Sequence, residues 1–400
     1  MLKNNSLMDK NLVKLIKGGR VYSPASLGIK DILIGGGKIL AVSDHIDINL
    51  DTVEIVNAEG MVVIPGLIDA HVHIAGAGGE GGPSTRTPEL QLTDYTTAGV
   101  TTVIGCLGTD GVTRSVESVL MRAKGLKAEG LSVWIYTGSY QYPTPTILGD
   151  VSKDLSMIEE VIGVGEVAIS DHRSSVPIDA ELIRLAAHAR VGGMLGGKAG
   201  IVNLHMGDAQ KPFTPIYRAV EGSELTFRQF LPTHCNRNEW IFEDAKAYGV
   251  KGFVDITTSS YPYYQDEEIK PSKAYRLLVE SGVPEEHITF TSDAGGSLPG
   301  FDPITGELTS MVTATPHSNL KEMVDCVLEE GMPLEKALLP VTLNPAKVLK
   351  LSSKGRIIAG ADADLLLLEE KNLSLNSTMA RGEWMVKDGT ILKFGSYERR

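Results

Sequence analysis

The chain has 400 residues, 42% of them hydrophobic, and a formal net charge of −12. That length allows one large domain plus a smaller unit, and the acidic balance argues against a general nucleic-acid binder, which needs a basic surface to neutralise phosphates. No window approaches the ~18 uninterrupted apolar residues of a membrane span, and the start MLKNNSLMDKNLVKLIKGG lacks the apolar run of a signal peptide, so a cytoplasmic protein with no membrane partner is expected.

Residues 11–66 read as short strands with turn punctuation: LVKLIKGGRVY, DILIGGGKILAVS and TVEIVNAEGMVVIPG. The Gly cluster at 35–37 and Gly60 suit hairpin turns. Apolar runs then recur at 61–74, 100–108, 131–138, 165–171, 200–208, 229–235, 252–258 and 288–293. Between them lie helical patterns such as PELQLTDYTTAG, VESVLMRAKGLKAEG, DAELIRLAAHARVGG and PSKAYRLLVESG. Continuous apolar strands alternating with amphipathic helices predict a parallel sheet covered by helices. Eight such units suit an α/β fold of the (β/α)8, or TIM, barrel type, typically ~250 residues. After about residue 350 the strand texture returns, in GRIIAGADADLLLLEE and STMARGEWMVKDGTILKFG. The predicted organisation is a barrel at 67–348 and a small β domain built from both termini, 1–66 and 349–400.

Three cysteines, Cys106, Cys235 and Cys326, supply neither a disulfide framework nor a CxxC site. They read as small buried residues.

The polar residues fall where such a barrel carries function, at the C-terminal strand ends. His71 and His73 close the first run, His205 the fifth, His234 the sixth and Asp293 the eighth, while Glu166 sits out of register near the start of the fourth. His71 and His73 are two apart on a strand and share a face, so both imidazoles can hold one metal ion. Four of the nine histidines occupy these strand-end places, which chance placement does not explain. His172 reads as structural, and His45, His188, His287 and His317 fall off the pattern.

The segment GLIDAHVH resembles the first-strand signature of the amidohydrolase superfamily. Taken together, HVHIAGAGGEGGPSTRTPE, GCLGTDGVTR, AISDHRS, LHMGD, LPTHCNRN and SDAGGSLP resemble the isoaspartyl (β-aspartyl) dipeptidases, over about residues 15–390. The resemblance implies a barrel of the metal-dependent hydrolase type with a β-sandwich as its terminal unit. It implies two divalent ions, zinc fitting the ligand types best: one on His71, His73 and Asp293, the other on His205 and His234. The best-known members bridge the ions with a carboxylated lysine. Here VIGVGEVAISDHR has no lysine and one extra residue, and Glu166 takes the bridging place, as a glutamate does in other amidohydrolase branches.

The activity implied is hydrolysis of β-aspartyl dipeptides to aspartate and an amino acid by a metal-bridging hydroxide, with Asp293 as general acid and base. Tyr140 would donate to the developing oxyanion, with Tyr142 as its neighbouring competitor. Glu80 would bind the substrate ammonium, with a backbone N–H of Gly78 in the same loop. Thr109 and Ser297 match positions near the aspartyl carboxylate, and Arg173 and Arg237 match positions that grip the terminal carboxylate. A homo-oligomer, with the octamer as one form, is also implied. Two rival readings are another amidohydrolase activity, such as N-acyl-amino-acid deacylation or cyclic-amide hydrolysis, and a barrel that has lost catalysis and serves as a scaffold.

Overall fold

The computed structural model describes residues 13–399 apart from 303, 304 and 306. The residues on which the leader reading falls, 1–12, lie outside the described residues. Five strands come first: β1 (Val13–Tyr22), β2 (Ser26–Gly35), β3 (Lys38–Ser43), β4 (Val53–Asn57) and β5 (Met61–Pro65). β2 and β3 form a hairpin over Gly36 and Gly37, both at positive φ (59° and 77°), a conformation that costs glycine least and matches the twist of a tight hairpin.

Eight parallel-type strands follow: β6 (Leu67–Val72), β7 (Val100–Gly105), β8 (Ser132–Thr137), β9 (Val161–Ile169), β10 (Ile201–Met206), β11 (Phe230–Thr233), β12 (Val254–Thr257) and β13 (Ile288–Thr291). A hairpin, β14 (Ser297–Phe301) and β15 (Leu308–Thr313), comes next. The chain closes with β16 (Leu365–Glu369), β17 (Leu375–Ala380), β18 (Glu383–Lys387) and β19 (Thr390–Ile391).

Strands from the two ends of the chain join in one mixed nine-stranded sheet, ordered β19-β18-β17-β16-β5-β1-β2-β3 with β4 beside β1. The junction is the antiparallel pair β5–β16, from Pro65 opposite Leu365 to Met61 opposite Glu369. Ile16, Ile32, Val63, Leu365, Leu367 and Met379 share one apolar core. The terminal strands thus form one β domain, hydrogen-bonded as a single sheet around that core. The first apolar run, 61–74, divides at Gly66 between this sheet (β5) and the parallel one (β6). Any Cβ at Gly66 would collide with the Thr101 side chain, so the chain crosses between sheets where it is thinnest.

Strands β6 to β11 are parallel neighbours in chain order, and β12 and β13 form a parallel pair. Cys235 N donates to Asp255 O (3.1 Å) between β11 and β12, and His73 N donates to Ala294 O (2.8 Å) between the ends of β6 and β13. Every residue of β6, β7, β9 and β10 is buried, so these segments are mainly apolar and do not alternate; their buried polar residues include Asp69, His71, Glu166, Asn203 and His205. Outward side chains pack under helices such as Val116–Glu129 and Asp179–Gly196. Inward ones, including Ile68, Ile104, Tyr136, Ile162 and Leu231, form a second cluster. Ser115 and Asn238 cap the helices Val116–Glu129 and Glu239–Gly249 by accepting from the amides of Ser118 and Ile241. Asp255 is buried and accepts from the hydroxyls of Thr233 (2.7 Å), Thr289 (2.5 Å) and Thr291 (2.6 Å), tying β11, β12 and β13 together.

Two features depart from the sequence reading. β9 begins at Val161, so Glu166 lies in its later half and not at its start. The hairpin β14–β15 was not legible in the sequence; Leu298, Pro299 and Gly300 of β14 form one wall of the main cavity. Among the described residues no helix is long and apolar enough to cross a membrane.

Candidate active site

His71 is the last residue but one of β6 and His73 directly follows the strand, His205 lies in β10, and His234 and Asp293 come one and two residues after β11 and β13. His234 and Asp293 both adopt positive φ, 63° and 54°. For residues other than glycine such backbone is strained and clusters at functional sites. Here it turns the chain sharply at the strand ends.

Glu166 stands at the middle of the group. Its Oε2 lies 3.2 Å from His71 Nε2 and 3.8 Å from His73 Nε2, and its Oε1 lies 2.7 Å from His205 Nδ1 and 3.1 Å from His234 Nε2. Asp293 Oδ1 faces the first pair, 2.9 Å from His73 Nε2 and 3.5 Å from His71 Nε2. One carboxylate thus turns one oxygen to each pair of imidazoles. The backbone achieves this with an irregularity: Val164 pairs with Val202 and Val167 with Leu204, so β9 carries one more residue than β10 at this point. Such a bulge re-aims a side chain. Gly165 has φ 153°, and a Cβ there would come within 2.7 Å of Asn203 O and 2.8 Å of Asn203 Cβ.

The donor set fits divalent ions. His71 Nε2, Glu166 Oε2 and Asp293 Oδ1 are buried with no hydrogen-bond partner, an arrangement that costs free energy unless a cation completes it. Among the described residues two groups lie within ligand reach, His71–His73–Cys106–Glu166 and Glu166–His205–His234. Burial would raise the Glu166 carboxyl, but His71 and His205 overcome it and hold the group anionic, well below its ordinary range. Asp293 is brought down to about 2 against the effect of burial, chiefly by His73. Burial pushes His234 down to about 3, leaving a neutral imidazole suited to a metal.

The group opens into a cavity of about 990 Å³ whose walls include Gly78, Glu80, Thr109, Tyr140, Arg173, Arg237 and Ser297. Tyr140 Oη lies 2.7 Å from His205 Nδ1. Burial pushes its phenol well above the ordinary value, so it stays protonated. Tyr142 packs instead at the edge of the apolar core. Arg173 forms a two-pronged pair with Asp171, Nε to Oδ1 at 3.0 Å and Nη2 to Oδ2 at 2.9 Å, and its Nη1 lies 3.7 Å from Glu80. Arg237 Nη1 donates to Met206 O at 2.9 Å. Ser297 Oγ is buried without a partner. His172 is 83% exposed at the rim.

Residues 233–385 match the amidohydrolase family model. Over 97% of this chain and 100% of the other, the structure superimposes with TM-score 0.89 and 40% identity on a β-aspartyl dipeptidase from Fervidobacterium islandicum AW-1, solved with β-Asp-Leu. The chain belongs to the β-aspartyl dipeptidase family of amidohydrolases. More distant similarity reaches the dihydroorotase of Elusimicrobium minutum, 24% identical over 94% of this chain and 98% of that protein. The allantoinase of Enterococcus faecalis is 24% identical over 89% of this chain and 86% of its own length. Dihydropyrimidinase from Brevibacillus agri shares the fold, with TM-score 0.68 at 15% identity over 96% of this chain and 97% of its own.

In this β-aspartyl dipeptidase family member the outer nitrogens of the four histidines also have partners, which sequence reasoning missed. His71 Nδ1 meets Asn203 Oδ1 (3.0 Å), His234 Nδ1 meets Thr257 Oγ1 (2.6 Å) and His205 Nε2 meets Asp171 Oδ2 (3.0 Å). His73 Nδ1 lies 3.7 Å from Cys106 Sγ. Such contacts fix ring orientation and tautomer. Asp171 carried a signal, since it sits two residues before Arg173 in SDHR. Asn203 and Thr257 carried none.

Proposed function

We propose that the chain hydrolyses the isopeptide bond of β-aspartyl dipeptides, releasing aspartate and an amino acid. The observation that carries this reading is the two-sided arrangement about Glu166, opening on a cavity that holds two arginines and Glu80, in a chain 40% identical to a dipeptidase solved with β-Asp-Leu.

In this reading His71, His73 and Asp293 hold one divalent ion, His205 and His234 the other, and Glu166 both; zinc is the ion we assign from the imidazole and carboxylate donors. The ions supply activation of water and polarisation of the scissile carbonyl. Asp293 takes the proton of the attacking water and delivers it to the leaving amine. Tyr140 donates to the carbonyl oxygen as charge develops there. Arg173 and Arg237 grip the terminal carboxylate, and Glu80 takes the ammonium. Thr109, Ser297 and the N–H of Gly78 line the place of the aspartyl unit. We also read the eight parallel strands as one closed (β/α)8 barrel spanning 67–348, with 1–66 and 349–400 as the terminal β domain. The expectations of a homo-oligomer and a cytoplasmic setting go with that reading.

Cyclic-amide hydrolysis is the second reading, favoured by the similarity to dihydroorotases and allantoinases. It keeps the metal ligands but has no use for two arginines and a glutamate around the cavity. Amino-acid release from β-Asp-Leu by metal-loaded protein tests the first reading. Asp293→Asn is expected to lower kcat by about 10²–10⁴-fold, the usual worth of a general acid–base group. A metal-loaded wild type that opens a cyclic amide and leaves β-Asp-Leu intact would favour the second.

A further inference from the structure

We propose that Asp171 is a positioning residue that couples retention of the ion at His205 and His234 to the grip on the substrate's terminal carboxylate. The inference rests on the dipeptidase reading for the roles of Arg173 and Arg237.

Asp171 follows β9 closely, and its side chain is 1% exposed. Its Oδ2 lies 3.0 Å from His205 Nε2, which Arg173 Nη2 also approaches, at 3.1 Å. Asp171 is the carboxylate acceptor beside that nitrogen, and so favours the tautomer with the ring proton on Nε2 and the Nδ1 lone pair, 2.7 Å from Glu166 Oε1, on the metal side. The same carboxylate takes the Nε and Nη2 edge of Arg173 at 3.0 and 2.9 Å. Only the Nη1 end of that guanidinium is left to face Glu80, at 3.7 Å. Arg237 Nη1 lies 3.8 Å from the same Oδ2 and 3.2 Å from His205 Nε2. One buried carboxylate therefore sets the tautomer of a metal-side imidazole and the orientation of one arginine, with the second close by. A planar guanidinium held along one edge can pivot little, so loss of the charge on Asp171 loosens both the imidazole and the fork.

Asp171 also caps a local turn, with Oδ1 accepting from Arg173 N at 2.7 Å, and a purely structural role must be distinguished. Asp171→Asn retains the shape and the turn acceptor but removes the charge. Zinc retention against a competing chelator, KM and kcat on β-Asp-Leu, and the melting temperature are measured for wild type, Asp171→Asn and Asp171→Glu. The expected result for Asp171→Asn is one of two zinc ions held about 10–100-fold more weakly, the usual effect of losing a partner behind a ligand. KM rises at least tenfold with little change in melting temperature, and Asp171→Glu recovers part of both losses. Unchanged zinc retention in Asp171→Asn overturns the inference, whether or not KM moves. If Asp171→Asn does not fold, Arg173→Lys reads the coupling from the other side: weaker zinc retention supports it, although Arg173 is no ligand, and unchanged retention overturns it. Wild-type inactivity toward β-Asp-Leu, by contrast, counts against the dipeptidase reading while the zinc comparison still decides the role of Asp171.

Discussion

His71 Nε2 and Glu166 Oε2 stand 3.2 Å apart, both buried and both without a hydrogen-bond partner. Two polar atoms held this way are poised for something between them. The other oxygen of Glu166 makes the same approach to His205 and His234, and this symmetry makes Glu166 the centre of the account.

Replacing Glu166 with Ala removes the carboxylate that faces both sides. Metal analysis of the purified variant is expected to show loss of one or both ions, together with loss of activity. Full metal content and activity in Glu166→Ala would remove Glu166 from the bridging role. Because the proposed bridge is already a carboxylate, activity of zinc-loaded wild type is expected not to change on adding bicarbonate. A bicarbonate requirement would point to a carboxylated lysine elsewhere.

Gly165 makes a second prediction that touches no ligand. A methyl group at this position would press on Asn203, whose Oδ1 contacts His71 Nδ1. Gly165→Ala is expected to cost about 1–3 kcal/mol of stability, the usual penalty of overpacking a filled interior, and to lower metal content by displacing Glu166. Denaturant unfolding and metal analysis check the two effects, and a variant with wild-type stability and two ions would show that the bulge tolerates a side chain.

Arg237 lines the cavity wall, and among the described residues no carboxylate is closer to it than Asp171, at 3.8 Å. Arg237→Met is expected to raise KM for a dipeptide with a free C-terminus about ten- to a hundredfold, the worth of a ~1.5–3 kcal/mol charge-assisted hydrogen bond. The same variant assayed on a C-terminally amidated substrate is expected to show little further loss. Equal losses on both substrates would separate Arg237 from the terminal carboxylate.

Glu268 gives the cavity a pH response. Burial pushes its carboxyl up to about 7, against the Ser260 hydroxyl (2.7 Å from Oε2) and the charge of Arg237. A raised carboxyl is neutral below that pH and anionic above it. Above about pH 7 it competes with the substrate carboxylate for Arg237, so KM is expected to rise with pH across neutrality. Glu268→Gln is expected to flatten that rise, and a rise of the same size in the variant would assign it to another group.

Much of this site was legible in the sequence because it depends on local spacing. The His71–His73 pair needs only the two-residue period of a strand, and the ends of apolar runs marked His205, His234 and Asp293. The start of β9 was misplaced because Gly163 and Gly165 break its apolar run, which made Glu166 look out of register. What remained hidden depends on register between strands. Asn203 reaches His71, and Thr257 reaches His234, only once the strands are aligned. Cys106 reads correctly as a small buried residue, but its approach to His73 follows from the pairing of β6 with β7. The β14–β15 hairpin escaped notice because its segment, rich in Gly, Pro and Thr, has no clear alternation.

The most direct test is to present zinc-loaded protein with β-Asp-Leu and α-Asp-Leu side by side and to measure the amino acids released. Release from the β isomer alone is expected from the dipeptidase reading proposed for this cavity. Release from both isomers at similar rates, or from neither with two ions bound, would contradict it.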